Sequence, residues 1–248
     1  GTTTSLQGDI TNNAAVVFDQ NTDGTYAGAM SGTGALTKSG TGNLTLTGAN
    51  TYSGGTTVSA GVLTGTTTSL QGNIVNNAAV AFDQAFDGTY AAVISGTGSL
   101  TKQGIGILTL SGANTYGGGT TFVSGTVAVA DNSALGAASG VMIFDEGTLR
   151  TTATFTMARA TTLTAMGGTF DVVDGTTLTQ NGDITGAGGL TKRGGGTLVL
   201  GGTNTYGGST NVEAGILQGT TDSLQGPIGT LTNTGVVEGS AWSLFSTY

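Results

Sequence analysis

The fold of this chain is decided by a stretch rich in glycine and threonine that occurs three times. Residues 32–63 read GTGALTKSGTGNLTLTGANTYSGGTTVSAGVL, and residues 96–127 repeat that stretch 64 positions later. A third version occupies residues 186–217, after a further 90 positions. Similarity at a regular offset is typical of proteins that stack one small structural unit many times.

Within each copy, short apolar runs alternate with threonine and are separated by glycine. In NLTLTG (43–48), Leu44 and Leu46 lie on one face of an extended segment, and Thr45 and Thr47 lie on the other. This period of two predicts a half-buried β-strand, and no segment carries the apolar stripe of a helix. Strands of about five residues joined by tight turns are compatible with a β-sandwich, a β-propeller or a solenoid.

The repeats favour the solenoid among these three architectures. Nearly identical units suit a stack in which each unit contacts only its neighbours, and a solenoid absorbs 26 extra residues (90 minus 64) by adding roughly one coil. With about 21 residues per coil, 64 residues make three coils and the whole chain makes about twelve. We therefore predict a single all-β parallel solenoid with repeat units 1–64 and 65–128, a divergent unit 129–218 and a partial unit 219–248.

Composition removes most catalytic chemistry. The chain has 47 Gly and 50 Thr among 248 residues, but no His and no Cys. Disulfides, Cys or His metal sites, Cys nucleophiles and Ser-His-Asp triads are therefore excluded. We expect no cofactor, and since no initiator Met or signal peptide precedes Gly1, we expect a mature piece or an excised fragment.

Charge and hydropathy limit the partners. The net charge of -8 repels phosphate backbones and anionic lipid surfaces, so we expect no nucleic-acid partner. The longest apolar runs, such as AAVVF at 14–18, have five residues. That is far short of the roughly 20 residues of a membrane-spanning helix, so we expect no membrane insertion of this segment.

The three copies resemble a known family through two motifs, G-x-L-T-K and L-T-L-x-G-x-N-T-Y-x-G-G-T. Residues 32–63, 96–127 and 186–217 are similar to the passenger-associated β-strand repeat of type V autotransporters, and residues 133–192 are similar to the coils that link such repeats. The resemblance implies a right-handed parallel β-helix displayed outside a Gram-negative cell. It also implies that the repeat is scaffold and carries no activity of its own.

Residues that recur in register are candidates for structure or for binding. The Asn and Tyr of the N-T-Y motif could bind sugars through amides and rings, but stacked turn asparagines more often bond to the coils above and below. We favour this structural role for Asn50, Asn114, Asn204, Tyr52, Tyr116 and Tyr206. For the aromatic side chains, we expect core stacking of Phe18 on Phe82, or of Tyr across coils.

Two sets of charged residues recur as well. The lysine of the L-T-K block (Lys38, Lys102 and Lys192) could form a basic stripe for an anionic glycan, but we favour a solvated charge at a strand end. The acids of DQNTDGT (19–25) and DQAFDGT (83–89) could bind calcium. Calcium needs six to eight oxygen ligands, however, and neither segment matches a calcium-binding motif, so we favour turn-forming acids.

The divergent unit and the C-terminal segment hold the remaining candidates. The densest charge of the chain is formed by Asp145, Glu146, Arg150, Arg159, Asp171, Asp174 and Asp183. Paired carboxylates are the groups used by glycan-cleaving enzymes, although the neighbouring Asp145 and Glu146 would point to opposite faces of a strand. Near the C-terminus, Trp242, Phe245 and Tyr248 are candidates for an end cap or an assembly contact.

Three functions of different classes are compatible with these observations. The leading hypothesis is a non-enzymatic extracellular scaffold or adhesin, on the cell surface or released from it, with a host-surface or glycan ligand. The second is a filament subunit that stacks end to end, because a heterologous contact that does not close a ring grows as a fibre. The third is a glycan-active enzyme that uses the carboxylates of residues 129–185.

Overall fold

The computed structural model describes residues 1–220, 223 and 236–239. These residues form 28 β-strands and one short 3₁₀ helix, Asn132–Leu135, which is capped by Asp131. All of the strand pairs are parallel. No described helix is long and apolar enough to span a lipid bilayer.

The strands follow the repeat units along the chain. Unit 1–64 contributes β1 (Ile10–Thr11), β2 (Ala15–Asp19), β3 (Gly24–Tyr26), β4 (Met30–Ser31), β5 (Ala35–Ser39), β6 (Asn43–Leu46), β7 (Thr56–Val58) and β8 (Val62–Gly65). Unit 65–128 contributes β9 (Ile74–Asn76), β10 (Ala79–Asp83), β11 (Gly88–Tyr90), β12 (Ile94–Ser95), β13 (Ser99–Gln103), β14 (Ile107–Leu110), β15 (Thr120–Phe122) and β16 (Thr126–Val129).

The remaining strands belong to the divergent unit and to the segment that follows it. They are β17 (Met142–Phe144), β18 (Thr148–Thr151), β19 (Phe155–Met157), β20 (Thr161–Leu163), β21 (Gly168–Val172), β22 (Thr177–Gln180), β23 (Ile184–Gly186), β24 (Leu190–Arg193), β25 (Thr197–Leu200), β26 (Thr210–Val212), β27 (Ile216–Gly219) and β28 (Val236–Gly239).

The chain winds around three faces. A first sheet has the order β2-β5-β7-β9-β12, a second runs from β3 through β6, β8, β10, β13, β15, β17 and β20 to β23, and a third has the order β11-β14-β16-β18-β21-β24-β26. Between residues 88 and 110 the chain passes through β11, β12, β13 and β14, and it thus visits the third, first and second sheets before returning to the third. Two further sheets, β1-β4 and β19-β22-β25-β27-β28, complete the ladders.

The predicted fold class is confirmed. The described strands stack as a parallel solenoid of about ten turns, so the predicted twelve coils are close. The commonest step between paired strands is 20 residues, as in Ile10 opposite Met30 and Ile74 opposite Ile94. The core is a column of side chains from the inward positions of the strands, and Leu44 and Leu46 are buried as the alternation predicts.

The 64-residue repeat contains more than the three coils that its length predicts. The equivalent strands β5, β13 and β24, which carry the L-T-K block, lie in the first, second and third sheets respectively. The other strands of each unit shift in the same sense, for example β6 in the second sheet and β14 in the third. Each repeat unit therefore makes three coils and one additional face, and successive units are rotated about the axis by one face.

The insertion in the divergent unit is one additional coil, in agreement with the prediction. From β8 to β15 the second sheet advances three steps, whereas from their equivalents β16 and β26 the third sheet advances four. One whole coil leaves the rotation between units unchanged. The third L-T-K block consequently lies on the remaining face of the solenoid.

The aromatic core differs from the expected arrangement. Phe18 and Phe82 lie in different sheets and do not stack on each other. Phe18 instead packs against Tyr26, with ring centroids 5.1 Å apart. In the divergent unit, Phe122 and Phe144 stack at 4.4 Å on neighbouring rungs. Each such buried side chain stabilises the fold by about 1.5–3 kcal/mol.

Candidate functional site

The asparagines of the N-T-Y motif bond to the coils on both sides. The Asn114 Oδ1 accepts from the Ile94 backbone N at 2.8 Å, and its Nδ2 donates to the Ala134 carbonyl oxygen at 2.6 Å. Asn50 bonds in the same way to Met30 and Ser69, and Asn204 to Ile184 and Ser223. All three side chains are buried, so their amides replace ladder hydrogen bonds where no strand forms.

The tyrosines of the same motif also point into the solenoid. Each phenol shares a hydrogen bond with the threonine four residues later, at 2.7 Å for Tyr52 with Thr56 and for Tyr116 with Thr120. Tyr206 makes the equivalent bond to Thr210. Burial raises the pKa of all three phenols, that of Tyr116 to about 12. None of these rings is therefore available as an aromatic platform for a ligand.

The prediction that the three lysines are solvated is wrong. Lys38, Lys102 and Lys192 are completely buried. The Lys102 Nζ donates to the carbonyl oxygens of Gln103, Gly104 and Ser124 at 2.8, 2.6 and 3.3 Å. The other two lysines bond to the corresponding three carbonyls of their own units. Each ammonium closes a corner between two coils and cannot contribute to a basic surface stripe.

The lysine corner depends on a close approach of the backbone. Gly125 has a φ of 64°, and a Cβ there would lie 2.3 Å from the Gly104 carbonyl oxygen and 2.8 Å from the Lys102 Nζ. Only glycine fits this left-handed position. Burial lowers the pKa of Lys102 and of Lys192 to about 8, against an opposing effect of nearby carboxylates.

The signal for these buried lysines was present in the alternation. In L-T-K, Lys38 has the same parity as the inward Leu36, whereas Thr37 points outward. A lysine without a carboxylate partner is rarely buried. The prediction of a solvated lysine therefore followed the residue type and not the alternation along the strand. The pattern was the better guide because the turn supplies three carbonyl oxygens as acceptors.

The acidic turns hold neighbouring coils together. The Asp23 Oδ1 accepts from the Asn43 backbone N at 2.8 Å, and the Asp87 Oδ1 accepts from the Ile107 backbone N at 2.8 Å. The Asp19 Oδ1 accepts from the Ser39 hydroxyl at 3.1 Å. Within the described residues, no three acidic side chains come close enough together to hold a metal ion.

Arg159, one of the charged residues of the divergent unit, is buried and structural. Its guanidinium makes five hydrogen bonds, to Asn132 Oδ1 and to the carbonyl oxygens of Asn132, Gly136, Ala137 and Gly140. Their lengths run from 2.6 to 3.2 Å. Every N–H of the guanidinium is thus used to hold the loop that contains the 3₁₀ helix.

Three carboxylates of the divergent unit make separate contacts within the protein. Asp145 and Glu146 lie in the turn between β17 and β18, so the prediction that they point to opposite faces of a strand is wrong. Asp145 accepts from the Thr164 hydroxyl at 2.5 Å. Asp171 lies 3.6 Å from Arg150 in an exposed ion pair. Asp183 accepts from the Thr203 backbone N at 2.8 Å.

Glu146 marks a surface feature that the sequence did not predict. It is exposed and has a φ of 84°, the only positive φ among the described residues other than glycine. Two open depressions of about 370 and 360 Å³ meet at Glu146 and Thr148. They form one groove, which begins at Ile105 and ends at Asn211.

The floor of this groove is a ladder of hydroxyl-bearing side chains on the third sheet. Successive rungs place Thr126 opposite Thr148, Thr148 opposite Thr169, and Thr169 opposite Thr191. Glu146 and the exposed Met166 stand at the rim. Six coils contribute to the groove, which gives it a length of about 24 Å at the strand spacing of a sheet. Thr169 is buried, but the half-buried Thr126, Thr148 and Thr191 offer hydroxyls that suit an extended polar ligand.

The assembly candidates Trp242, Phe245 and Tyr248 lie outside the described residues.

The same repeat that builds the lysine corners is found in known proteins. The passenger-associated-transport-repeat family matches residues 36–64, 100–129 and 190–218. Each match begins in the L-T-K strand and ends at the strand that precedes the next unit. The chain carries three passenger-associated transport repeats. The L-T-K blocks of the three repeats lie one on each face of the solenoid.

A relative that is an autotransporter supports this assignment. The chain is 47% identical over 97 residues to the adhesin BmaC autotransporter of Brucella suis biovar 1 (strain 1330). The match covers 39% of this chain and 3% of the adhesin. No solved structure matches the chain. The passenger repeats and this relative confirm the resemblance to autotransporter passengers and place the chain at the cell surface or outside the cell.

Proposed function

We propose that this chain is a non-enzymatic adhesive section of an autotransporter passenger, held away from the cell by its own stiff solenoid. The observation that carries the proposal is the similarity of 97 residues of the chain to an autotransporter adhesin, together with its three passenger repeats. The recurrent Lys, Asn and Tyr side chains support the role of a scaffold because they are buried and saturated by contacts within the solenoid. Adhesion then depends on the outward surface.

The groove on the third sheet is the part of that surface best suited to contact a ligand. It is lined by threonine hydroxyls, a carboxylate, a guanidinium and an apolar rim, and it crosses the divergent unit, where the surface differs from that of the two regular units. Among the residues that line it, Glu146 is the single carboxylate. This arrangement supports binding without bond cleavage.

The proposal is tested with beads that carry the purified chain. We expect these beads to attach to cultured epithelial cells several times more often than beads coated with serum albumin, and free chain to compete for attachment. Equal attachment of the two kinds of beads would remove the adhesive function. Release of reducing ends from a polysaccharide panel, if lost in both Asp145→Ala and Asp171→Ala, would show an enzyme instead.

A further inference from the structure

The two regular repeat units differ at one corner of the solenoid. Asn21, Thr22, Thr41, Asn43 and Ser59 of the first unit are polar. Their equivalents 64 positions later are Ala85, Phe86, Ile105, Ile107 and Val123. Each change replaces a polar residue with an apolar one, although 44 of the 64 positions of the two units are identical.

The structure brings the changed residues together. Phe86 lies in the turn between β10 and β11, Ile105 in the turn between β13 and β14, and Val123 in the turn that follows β15. These three turns stack on consecutive coils, at the corner between the second and third sheets. Ile107, the first residue of β14, lies beside them. We call Phe86, Ile105, Ile107 and Val123 the apolar edge.

Phe86 and Ile105 are exposed to an unusual degree for large apolar side chains. Each has 85% of its surface accessible to solvent. Contiguous exposed apolar residues on a soluble surface are typical of contact sites. The first unit shows that the fold does not require them, because Thr22 and Thr41 occupy the same positions in the same kind of turn. The apolar edge is therefore available for contact with a partner.

The apolar edge leads directly into the groove. Ile105 is the first residue of the depression that reaches Glu146, and Ile107 pairs with Thr126 at the start of the threonine ladder. Met166, 65% exposed, continues the apolar rim further along the same corner. The contact surface thus combines exposed apolar side chains with a row of hydroxyl groups.

The charges around this corner are mainly negative. Asp83 and Asp87 flank Phe86, and Glu146 lies at the middle of the groove, all three exposed. Arg193 lines the far part of the groove, where it pairs with Glu213, and Arg150 pairs with Asp171. Lys102, which interacts with Asp83 and Asp87, is buried. The corner therefore attracts positive charge.

We propose that the apolar edge and the adjoining groove bind an extended peptide segment in which Lys or Arg alternates with large apolar residues. Apolar side chains of such a segment contact Phe86 and Ile105, its cations approach Asp83, Asp87 and Glu146, and its backbone bonds to the threonine hydroxyls. A groove of about 24 Å holds roughly seven residues of extended chain. This inference rests on the proposed adhesive function and names the class of partner.

The test uses the full chain and a fluorescein-labelled peptide of alternating Leu and Lys, with binding measured by fluorescence anisotropy. The variant Phe86→Thr/Ile105→Thr installs the residues of the first unit, so the fold is preserved, and we expect it to weaken binding at least about tenfold. Asp87→Asn keeps the bond to Ile107, as Asn73 keeps the bond to Val93 where the first unit has Asp9. We expect this variant to weaken binding a few-fold and to lessen its salt dependence.

The reciprocal variant is the matched control. Thr22→Phe/Thr41→Ile places the same two side chains at the corner between the first and second sheets, which does not adjoin this groove, and should leave the stoichiometry at one peptide. Unchanged binding by Phe86→Thr/Ile105→Thr, equal binding of a Leu-Glu peptide, or preference for a neutral maltooligosaccharide would each overturn the inference. If beads that carry the Phe86→Thr/Ile105→Thr variant still attach to cells, the role of the apolar edge is wrong and the adhesive function stands. If wild-type beads do not attach although the peptide binds, the adhesive function is wrong and the edge stands.

Discussion

Arg159 is joined to Asn132, 27 residues earlier, by two hydrogen bonds, one to the side-chain Oδ1 at 2.7 Å and one to the carbonyl oxygen at 3.0 Å. The two residues lie on adjacent coils, and Asn132 begins the only described helix. This contact holds the loop that contains this helix against the solenoid. It also shows that the charge of the divergent unit is used inside the protein as well as on its surface.

Replacement of Arg159 should destabilise the divergent unit. In Arg159→Met, the carbonyl groups of Asn132, Gly136 and Gly140 lose their donor, whereas that of Ala137 keeps the Gly140 N–H. We expect a loss of about 3 kcal/mol in the free energy of unfolding. Urea denaturation followed by circular dichroism measures this loss. Arg150→Met is the control, because its ion pair with Asp171 is exposed and should contribute less than about 1 kcal/mol. Equal effects of the two variants would contradict the assigned role.

The buried lysines predict an unusual pattern of chemical labelling. All three lysines of the chain are buried, whereas the N-terminal amine is exposed. An amine-reactive ester near neutral pH should therefore modify the native protein at Gly1 and label the lysines only after denaturation. Peptide mass spectrometry locates the modified residues. Rapid labelling of Lys38, Lys102 or Lys192 in the native protein would show that the corners are open.

Removal of an N-T-Y asparagine should weaken the contact between coils. Asn114→Ala leaves the Ile94 N–H and the Ala134 carbonyl without partners, and we expect a destabilisation of about 2–3 kcal/mol. Asn114→Asp should be at least as damaging, because it buries a charge and loses the donor. Asn77→Ala is the control, since this exposed side chain makes one long bond of 3.4 Å. Chemical denaturation measures the loss of stability in each variant. We expect Asn114→Asp to lose at least as much as Asn114→Ala, and Asn77→Ala to lose the least.

The tyrosines predict a loss of stability at high pH. Their pKa values are raised in the folded chain, to about 12 for Tyr116, so above about pH 10 the unfolded state releases protons that the folded state retains. Stability should therefore fall as the pH rises from about 10 to 12. Lys102 and Lys192, with pKa values lowered to about 8, act in the opposite direction between about pH 8 and 10.5. The decline should thus begin only near pH 10.

This pH dependence is measured by urea denaturation at a series of pH values, together with the ultraviolet absorbance of phenolate. We expect phenolate to appear in the same transition as the loss of β-structure. Complete ionisation of the tyrosines in a folded protein would contradict their burial. Because Tyr116 is fully buried and contributes to the decline, Tyr116→Phe should make the decline shallower.

Much of the fold was predictable because strands and repeats record local environment. The alternation in NLTL placed Leu44 and Leu46 inside, and the repeated block indicated stacked units of one kind. The same local character explains what could not be predicted. Equivalent residues in β5 and β13 have the same neighbours above and below whichever face they occupy, so the 64-residue offset does not reveal the rotation by one face.

The candidate site was less predictable because it depends on residues brought together by that rotation. Phe86, Glu146 and Met166 are far apart in the sequence and share no motif, yet they lie along one corner of the solenoid. The lysines were misassigned for a related reason, since their carbonyl partners come partly from the next coil. A comparison of the two regular units, position by position, could have singled out Phe86 and Ile105.

The rotation between units has a consequence for how such a rod meets a surface. If all repeats faced the same way, the rod would have a single binding face. It would then have to rotate about its long axis before that face could contact a surface. Here the shared chemistry of the L-T-K units faces three directions in turn, and the features peculiar to one unit occupy a single direction. Contacts made by the common repeat are thus insensitive to rotation of the rod about its long axis. Contacts made at the Phe86 corner require one particular rotation angle.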